Sequence, residues 1–372
     1  MEFGLSEEQT LLQDSVKRLL AQQYPLDNVR AYAAGDDDAR KLRTSLAQMG
    51  ITALLIDEDH AGVGLGLLDA ALVAEALGSG TAPVPFAASV VMVPRALMLG
   101  GSDEQKDRWL PQLASGEITA GAALSELTGA RQDAYVQASK GKLSGRSMFV
   151  IDFDADIYLV ADSKRQLHIV EASAAGLTKA EFNTVDATRK LGELKFDGVS
   201  AEPLNCTPEQ VASVLDWGRV VLAADSLGAA QSMLDQAVAY AMQREQFNRV
   251  IASFQAVKHM CAEMAAALEP CRAMIWYAGY SADAQANDAR QYALHTKAHL
   301  SEVSQFVART ATEVHGGMGF TDLLGLHYWF KRIGANRQLL GSPERLRNDA
   351  AQDAGLIDTD LIKDKNTKEK VA

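Results

Sequence analysis

The stretch from Gln243 to Gln255 brings together residue types that bind anionic ligands. It holds Arg244 and Arg249 beside the aromatic Phe247, together with glutamines. Guanidinium groups suit bidentate contacts with phosphate oxygens. Apolar residues recur at helical spacing before and after this stretch, so the sequence predicts two helices joined by a ligand-binding loop. A solvated turn between two helices is the alternative interpretation.

A second candidate stretch runs from Glu313 to Phe320. In it His315 precedes the adjacent glycines Gly316 and Gly317. Glycine lets the backbone approach phosphate oxygens closely, so an anion contact is one interpretation. A turn that ends a helix is the other.

Composition excludes several classes of function. The net charge of −12 disfavours unaided nucleic-acid binding and provides no polybasic membrane patch. No run of about 18 apolar residues is present and the N-terminus lacks a signal-peptide pattern, so we predict no membrane span and a cytoplasmic location. Cys206, Cys261 and Cys271 lack metal-binding spacing, and we predict three buried, reduced thiols and no metal site.

The 372 residues divide into regions of different periodicity. Residues 1–118 predict a helical domain, which begins with a capping box formed by Ser6 and Gln9. Residues 119–203 contain short β-type runs and predict a small antiparallel sheet. Residues 204–353 predict a bundle of four or five helices, and residues 354–372 a charged, disordered tail. The glycines of Gly62–Gly66 are not interpreted as a dinucleotide loop, since no βαβ pattern surrounds them.

Both candidate stretches resemble signatures of the acyl-CoA dehydrogenase family. R-E-Q-F-x-x-x-I-x-x-F-Q is similar to the family's R-x-x-F-G-x-x-I-x-x-F-Q, with Asn248 in place of the glycine. Glu313–Phe320 is similar to Q-x-x-G-G-x-G-F, and Asp186–Arg189 to a D-x-T-R segment. The resemblance implies an α+β multidomain fold: an N-terminal helical domain, a middle β domain and a C-terminal helical bundle. Asn tolerates a positive φ, so the turn can survive the replacement.

The resemblance also implies a catalytic carboxylate, which this sequence lacks at both usual positions. The family removes an α-hydrogen of an acyl-CoA with a glutamate while a flavin accepts the β-hydride. Leu340 and Gly218 stand at the two positions where family members carry that base. The catalytic residue is therefore unknown from sequence. The weak candidates are Asp225, Glu245 and Glu344, which we interpret first as a polar helix contact and two surface acids.

The part of the sequence that matches the flavin-ring site has also changed. Leu124–Arg131 corresponds to the family's L-T-E-P-G-x-G-S loop, and Ser125 keeps the hydroxyl of the threonine. Phe149–Ile151 corresponds to W-I-T, and Ile151 has no hydroxyl. The resemblance implies that FAD contacts at the pyrophosphate and adenosine end are retained and reach a neighbouring subunit. The residues concerned are Arg244, Phe247, Gln255, Glu313, His315, Gly316 and Gly317.

This asymmetry favours a non-catalytic subunit of a heteromeric acyl-CoA dehydrogenase, similar to the small subunits of the pimeloyl-CoA and steroid side-chain types. A second dehydrogenase-like chain would carry the base, in an α2β2 heterotetramer. Acyl-CoA is the implied substrate and an electron-transferring flavoprotein the implied electron acceptor. Two alternatives remain: a self-sufficient dehydrogenase with an unusual base, and a non-redox lyase on the same fold. The sequence does not distinguish fatty, dicarboxylic and steroid acyl chains.

Overall fold

The computed structural model describes residues 4–128 and 135–357. The N-terminal region is helical, and the capping box predicted at Ser6 and Gln9 is present. The loop Gly62–Gly66 leads into α4, where Asp283 accepts hydrogen bonds from the first amides of that helix. A carboxylate of the chain itself thus satisfies the amides at the start of α4, where a helix otherwise favours an anionic ligand. The helices are α1 Glu7–Gln23, α2 Leu26–Ala34, α3 Arg40–Gln48, α4 Leu67–Ser79, α5 Val93–Gly100 and α6 Asp103–Ser115.

The middle region is an eight-stranded sheet in the order β6-β7-β3-β1-β4-β5-β8, with β2 paired to β3. The prediction of a purely antiparallel sheet is wrong at one pair, because β1 and β4 run parallel, with Ala122 opposite Leu159. The β2–β3 hairpin intervenes between these two strands, so β4 can return in the direction of β1. The elements are β1 Ala120–Ala123, α7 Ser125–Thr128, β2 Val136–Ser139, β3 Lys142–Ile151, β4 Ile157–Ala161, β5 Leu167–Glu171, β6 Leu177–Glu181, β7 Leu191–Ser200 and β8 Glu202–Pro203.

The C-terminal region is a helical bundle organised around α8, which packs against α4, α9, α10 and α11. Five helices of this bundle lie in the described part of the chain, in agreement with the predicted four or five. They are α8 Pro208–Gln243, α9 Gln255–Asp283, α10 Ala289–His315, α11 Leu326–Gln338 and α12 Pro343–Asp353. A two-stranded hairpin, β9 Glu245–Gln246 and β10 Arg249–Val250, joins α8 to α9. Of the predicted tail, residues 358–372 lie outside the described residues.

One apolar core joins the N-terminal helices to the bundle. Cys271 is buried within it, but Cys206 and Cys261 are only half-buried, so the prediction of three buried thiols is wrong for these two. Both pack against the edge of the core, so part of each side chain stays accessible to solvent. Burial raises the pKa of Cys271 to about 11. Over residues 4–128 and 135–357, no helix is long and apolar enough to cross a membrane and no His, Cys, Asp or Glu cluster could hold a metal ion.

Candidate functional site

The loop between α8 and α9 is a tight hairpin. Phe247 and Asn248 both have positive φ, +54° and +60°, between the paired residues Gln246 and Arg249. Two successive positive φ values are typical of a type I′ turn, which fits the twist of a hairpin. The prediction that Asn248 tolerates this conformation is confirmed. Phe247 at the tip is 88% exposed and touches the chain through an edge contact with the Phe254 ring, at 6.2 Å between ring centroids, so most of its ring faces solvent.

The first turn of α9 lies directly behind the hairpin. Phe254 precedes the helix and provides no side-chain cap for its amides. Free amides and the helix dipole make such a terminus favourable for an anion. The Arg249 guanidinium stacks on the Phe254 ring at 3.9 Å, while Arg244 and Gln255 are exposed nearby in the chain. Arg249 is not among the residues that the family resemblance assigns to FAD, although its place one residue after the turn is a signal for such a role.

The glycine turn after α10 lies at the same end of the bundle. The His315 ring is buried, donates to the Ala311 carbonyl and lies 4.7 Å from the Tyr240 ring, which ties the end of α10 to α8. Gly316 has φ +57°, and a Cβ at Gly316 or Gly317 would meet nothing within 4 Å. This open glycine backbone and the hairpin therefore share one end of the bundle.

Glu313 is exposed one turn before the glycines. A carboxylate there would repel a phosphate, so the structure gives no support for a direct contact with this acid.

A second feature is a cavity of about 470 Å³ between the sheet and the end of α11. Its walls are mostly apolar. Arg345 is the one ionisable side chain among the described residues that line it. They are Ala122, Leu124, Ser125, Thr128, Met148, Phe149, Ile151, Gln338, Leu339, Leu340, Gly341, Ser342 and Arg345. This cleft brings together the positions that the sequence analysis assigned to the flavin ring and to the usual base.

Leu340 and Gly218, the two base positions, lie against each other in the structure. A Cβ added to Gly218 would fall 2.7 Å from Leu340 Cδ1 and 2.7 Å from Met92 Sδ. Leu340 has φ +59°, and its carbonyl accepts a hydrogen bond of 3.0 Å from Arg219 Nε. Leu340 and Met92 thus fill the space beside Gly218, and neither position offers a group that accepts a proton. Met92 carried no sequence signal, because its contact depends on the packing of the helical segment Ala87–Met92, just before α5, against α8.

The flavin-ring segment has few free polar groups. Ser125 Oγ is buried and engaged at 2.8 Å with Ser147 Oγ. Ile151 is buried and Phe149 is 42% exposed, with φ +54° and its ring packed edge-on against Phe182. Residues 129–131 of the matching loop lie outside the described residues. The Thr128 hydroxyl also lines the cleft and donates to the Leu124 carbonyl at 3.3 Å, so the described part of the segment offers a ligand two hydroxyls that already have partners.

Asp225 is fully committed to a buried ion-pair network. Arg332 donates to both of its oxygens at 2.7 and 2.9 Å, and Asn336 Nδ2 donates at 2.6 Å. Arg189 Nη2 lies at 3.5 Å, which connects the D-x-T-R segment to the same carboxylate. Burial opposes ionisation, but these partners outweigh it and hold the pKa of Asp225 below its usual range. A carboxylate so engaged is a poor proton acceptor and is shielded from the cleft.

The other two candidate acids lie at the surface. Glu245 belongs to the exposed hairpin. Glu344 begins α12 and pairs with Arg337 at 3.0 Å. Its own backbone amide and the Ser342 hydroxyl lower the pKa of Glu344. Neither residue lines the cleft, so the structure does not bring any of the three sequence candidates to the place where a base would act.

Comparison with known proteins agrees with this geometry. Residues 6–117 match the N-terminal domain of acyl-CoA dehydrogenases and residues 209–355 match their C-terminal domain. Acyl-CoA dehydrogenase IpdE2 of Mycobacterium tuberculosis is 30% identical over 343 residues, which are 91% of this chain and 95% of the relative.

This chain belongs to the acyl-CoA dehydrogenase family. Two solved structures are similar to it over their length. The Tcur3481-Tcur3483 steroid acyl-CoA dehydrogenase superposes with a TM-score of 0.85 at 27% identity, covering 94% of this chain and 98% of the other. The ChsE4-ChsE5 complex of M. tuberculosis superposes with a TM-score of 0.88 at 24% identity, covering 96% and 100%. The predicted sequence of helical, β and helical regions is confirmed by this fold.

Members of the family are FAD-dependent oxidoreductases that act on acyl-CoA. The residues of this acyl-CoA dehydrogenase chain fit FAD unequally. The hairpin, the uncapped start of α9 and the open glycine turn suit the anionic end of a dinucleotide. The cleft suits a ring through its apolar walls, but Ile151 leaves it without the donor that the family places there.

Proposed function

We propose that this chain is the non-catalytic subunit of a heteromeric, FAD-dependent acyl-CoA dehydrogenase. Bound FAD supplies the hydride acceptor in this family, and a partner subunit would supply the carboxylate base. The observation that carries the proposal is the packing of Leu340 against Gly218, which removes a proton acceptor from both usual positions. Arg345, the one ionisable side chain of the described cleft lining, is a hydrogen-bond donor without an acceptor atom and cannot serve as a base.

The separation of the two sites supports the same proposal. Gly218 packs against Leu340 of the cleft lining, and Gln243 ends α8 at the hairpin. Roughly 38 Å of helix axis lies between them at the rise of an α-helix. The hairpin therefore serves a ligand other than one lying in this chain's own cleft. A partner's FAD is the ligand that the family suggests, with Arg244, Phe247 and Gln255 contacting its pyrophosphate and adenosine end. The exposed ring of Phe247 favours insertion into another chain.

The assembly would be an α2β2 heterotetramer that passes electrons to an electron-transferring flavoprotein. The name of the similar structure, Tcur3481-Tcur3483, gives two chains, which supports a pair of unequal subunits. That protein is a steroid acyl-CoA dehydrogenase, and we favour a steroid acyl-CoA as the substrate of the complex. A self-sufficient dehydrogenase would need Asp225, Glu245 or Glu344 as base. Their positions, one enclosed by arginines and two outside the cleft, disfavour that alternative.

The ratio of FAD to chain tests the proposal. The chain is expressed alone and then together with its dehydrogenase-like partner, and flavin absorbance is compared with protein content. We expect little flavin in the chain alone and one FAD per heterodimer in the complex. Stoichiometric FAD and full turnover of an acyl-CoA in a homo-oligomer of this chain would overturn it.

A further inference from the structure

A groove on the other side of α8 contains a cation without an anionic partner. It has a volume of about 730 Å³ and lies between α5, the first turns of α8 and the connection from α9 to α10. Glu209, Ala212, Ser213 and Asp216 line it at helical spacing. Gly218 is two residues further on, which is about 200° around the helix, so the groove is separate from the cleft.

Arg95 forms the floor of this groove. Its guanidinium stacks on the Trp217 ring at 4.1 Å, and Nη2 donates to Ser213 Oγ at 3.3 Å. Nε is buried and has no hydrogen-bond partner. Burial lowers the pKa of Arg95, and only the charge of Asp283 opposes that effect. The Asp283 oxygens already accept the amides of Leu67 and Leu68, so they do not pair with the guanidinium.

Arg290, a second arginine of the groove, is balanced by acids, and Arg165 lies exposed at the mouth of the groove. Arg290 donates to Asp216 at 3.0 Å and to Asp353 at 3.1 Å. Elsewhere in the described chain, the buried arginines Arg219 and Arg332 each contact an aspartate. Arg95 differs from them because no described carboxylate reaches ion-pairing distance. A half-buried, unpaired guanidinium is costly unless a ligand supplies the missing charge.

We infer that this groove binds a small apolar carboxylate, with its carboxylate on Arg95 and its apolar body along the groove. Leu67, Leu99 and the alanines at 282, 286 and 289 provide apolar walls, and the volume is that of a site for a small organic molecule. A single negative charge would balance the half-buried Arg95 guanidinium, which has no carboxylate partner among the described residues. The inference does not depend on the proposed function, since the groove and the hairpin share no residue.

Octanoate and octanamide, which differ in charge but little in size, test the site by calorimetry on the purified full-length chain or its complex. We expect octanoate to bind once per chain. Arg95→Met keeps the aliphatic stem and should weaken octanoate binding by about tenfold or more, the usual effect of losing a charge-assisted hydrogen bond. Octanamide should bind wild type at least about tenfold more weakly than octanoate. Arg165→Gln, at the exposed mouth, is the matched control and should change binding by less than about threefold.

Two further variants locate the bound probe. Trp217→Phe keeps an aromatic ring under Arg95 and should remove the fluorescence change that octanoate causes. Arg345→Gln, in the cleft, should leave octanoate binding unchanged. Equal binding of octanoate and octanamide to wild type would overturn the inference, and that comparison remains valid if Arg95→Met fails to fold. Loss of binding in Arg345→Gln, with binding retained in Arg95→Met, would place the probe in the cleft and also overturn it.

Discussion

The two ends of α8 present opposite kinds of surface. Near its start, Gly218 packs against Leu340 and Met92, and the surrounding cleft is apolar. At its end, the hairpin exposes Arg244 and Phe247 to solvent. The described lining of the cleft holds no carboxylate that could act as the family's base. The hairpin, in contrast, leaves an arginine and most of an aromatic ring accessible to another molecule. This contrast is the basis of our proposal that the chain acts mainly through what it offers to another subunit.

Asp225→Asn should produce the largest effect, because it leaves Arg332 buried without its carboxylate. We expect the free energy of unfolding to fall by about 3–5 kcal/mol, measured by chemical denaturation. Turnover of the complex, where folding is retained, should persist. Abolished turnover with normal stability and normal FAD content would identify Asp225 as a base. It would contradict the view that this chain has no proton acceptor near the start of α8.

Gly218→Glu tests how firmly the cleft is filled. The new side chain would collide with Leu340 and Met92 and would bury a charge, so we expect a loss of about 2–4 kcal/mol of stability. Leu340→Ala opens space beside Gly218, and the double variant Gly218→Glu/Leu340→Ala should recover part of that loss. No loss in the single variant would mean that the cleft is looser than its packing indicates.

Lys297 should make the stability of the chain near the cleft depend on pH. Its buried ammonium donates to the Asn336 carbonyl near the end of α11, just before Leu339 and Leu340, and burial lowers the pKa of Lys297 to about 7. The unfolded chain holds this proton up to about pH 10.5, so wild-type stability should rise between pH 7 and 10.5. Lys297→Met should be more stable below pH 7 and lack this part of the rise.

Denaturation curves of both proteins across this pH range measure the effect. The difference between them isolates Lys297 from other groups that titrate there, which include tyrosines and exposed lysines. A constant difference in stability from pH 6 to 10 would show that Lys297 does not change its protonation state in the folded chain.

Phe247→Ala tests whether the exposed hairpin at the end of α8 contributes to binding in the complex rather than to the stability of its own chain. Because the ring is 88% exposed, removing it should change the stability of the isolated chain by less than about 0.5 kcal/mol. We expect the FAD affinity of the heteromeric complex to fall by about tenfold, because an aromatic contact at an interface is lost. Fluorescence titration with FAD measures this, and an unchanged affinity would remove Phe247 from the proposed contact.

Asn248→Gly should have the smallest effect. It restores the residue that the family places in this turn, at a φ of +60° that glycine adopts freely. We expect stability to change by no more than about 0.5 kcal/mol, because glycine relieves strain but gains entropy in the unfolded chain. A loss of more than about 1 kcal/mol would indicate that the Asn248 side chain holds the hairpin.

The sequence predicted the fold through periodicity and through motif order. Helical spacing on either side of Arg244 located α8 and α9, and the glycine replacement at Asn248 pointed to a positive φ. The parallel pairing of β1 with β4 was not predictable from the pattern of apolar and polar residues, because that pattern does not determine whether two short strands pair parallel or antiparallel. The partial burial of Cys206 and Cys261 depends on the tertiary packing of their neighbours and not on the pattern of apolar residues around them in the sequence.

The site was predicted less completely than the fold. The absence of a base followed from the residue types at Leu340 and Gly218, but their mutual contact with Met92 required three elements to be placed together. The enclosure of Asp225 by Arg332 and Asn336 joins residues more than 100 positions apart in the sequence. Such long-range pairs leave no local signal, and the unpaired Arg95 is visible only once its neighbours are known.

The most direct measurement is the FAD dissociation constant of the co-expressed complex carrying Arg244→Gln in this chain alone. Arg18→Gln, an exposed arginine of α1, is the matched control. We predict that Arg244→Gln raises the constant about 10- to 100-fold while the two chains still associate, since one charge-assisted phosphate contact is lost. An unchanged constant, equal to that of Arg18→Gln, would contradict the account, because the hairpin would then contribute nothing to the partner's cofactor.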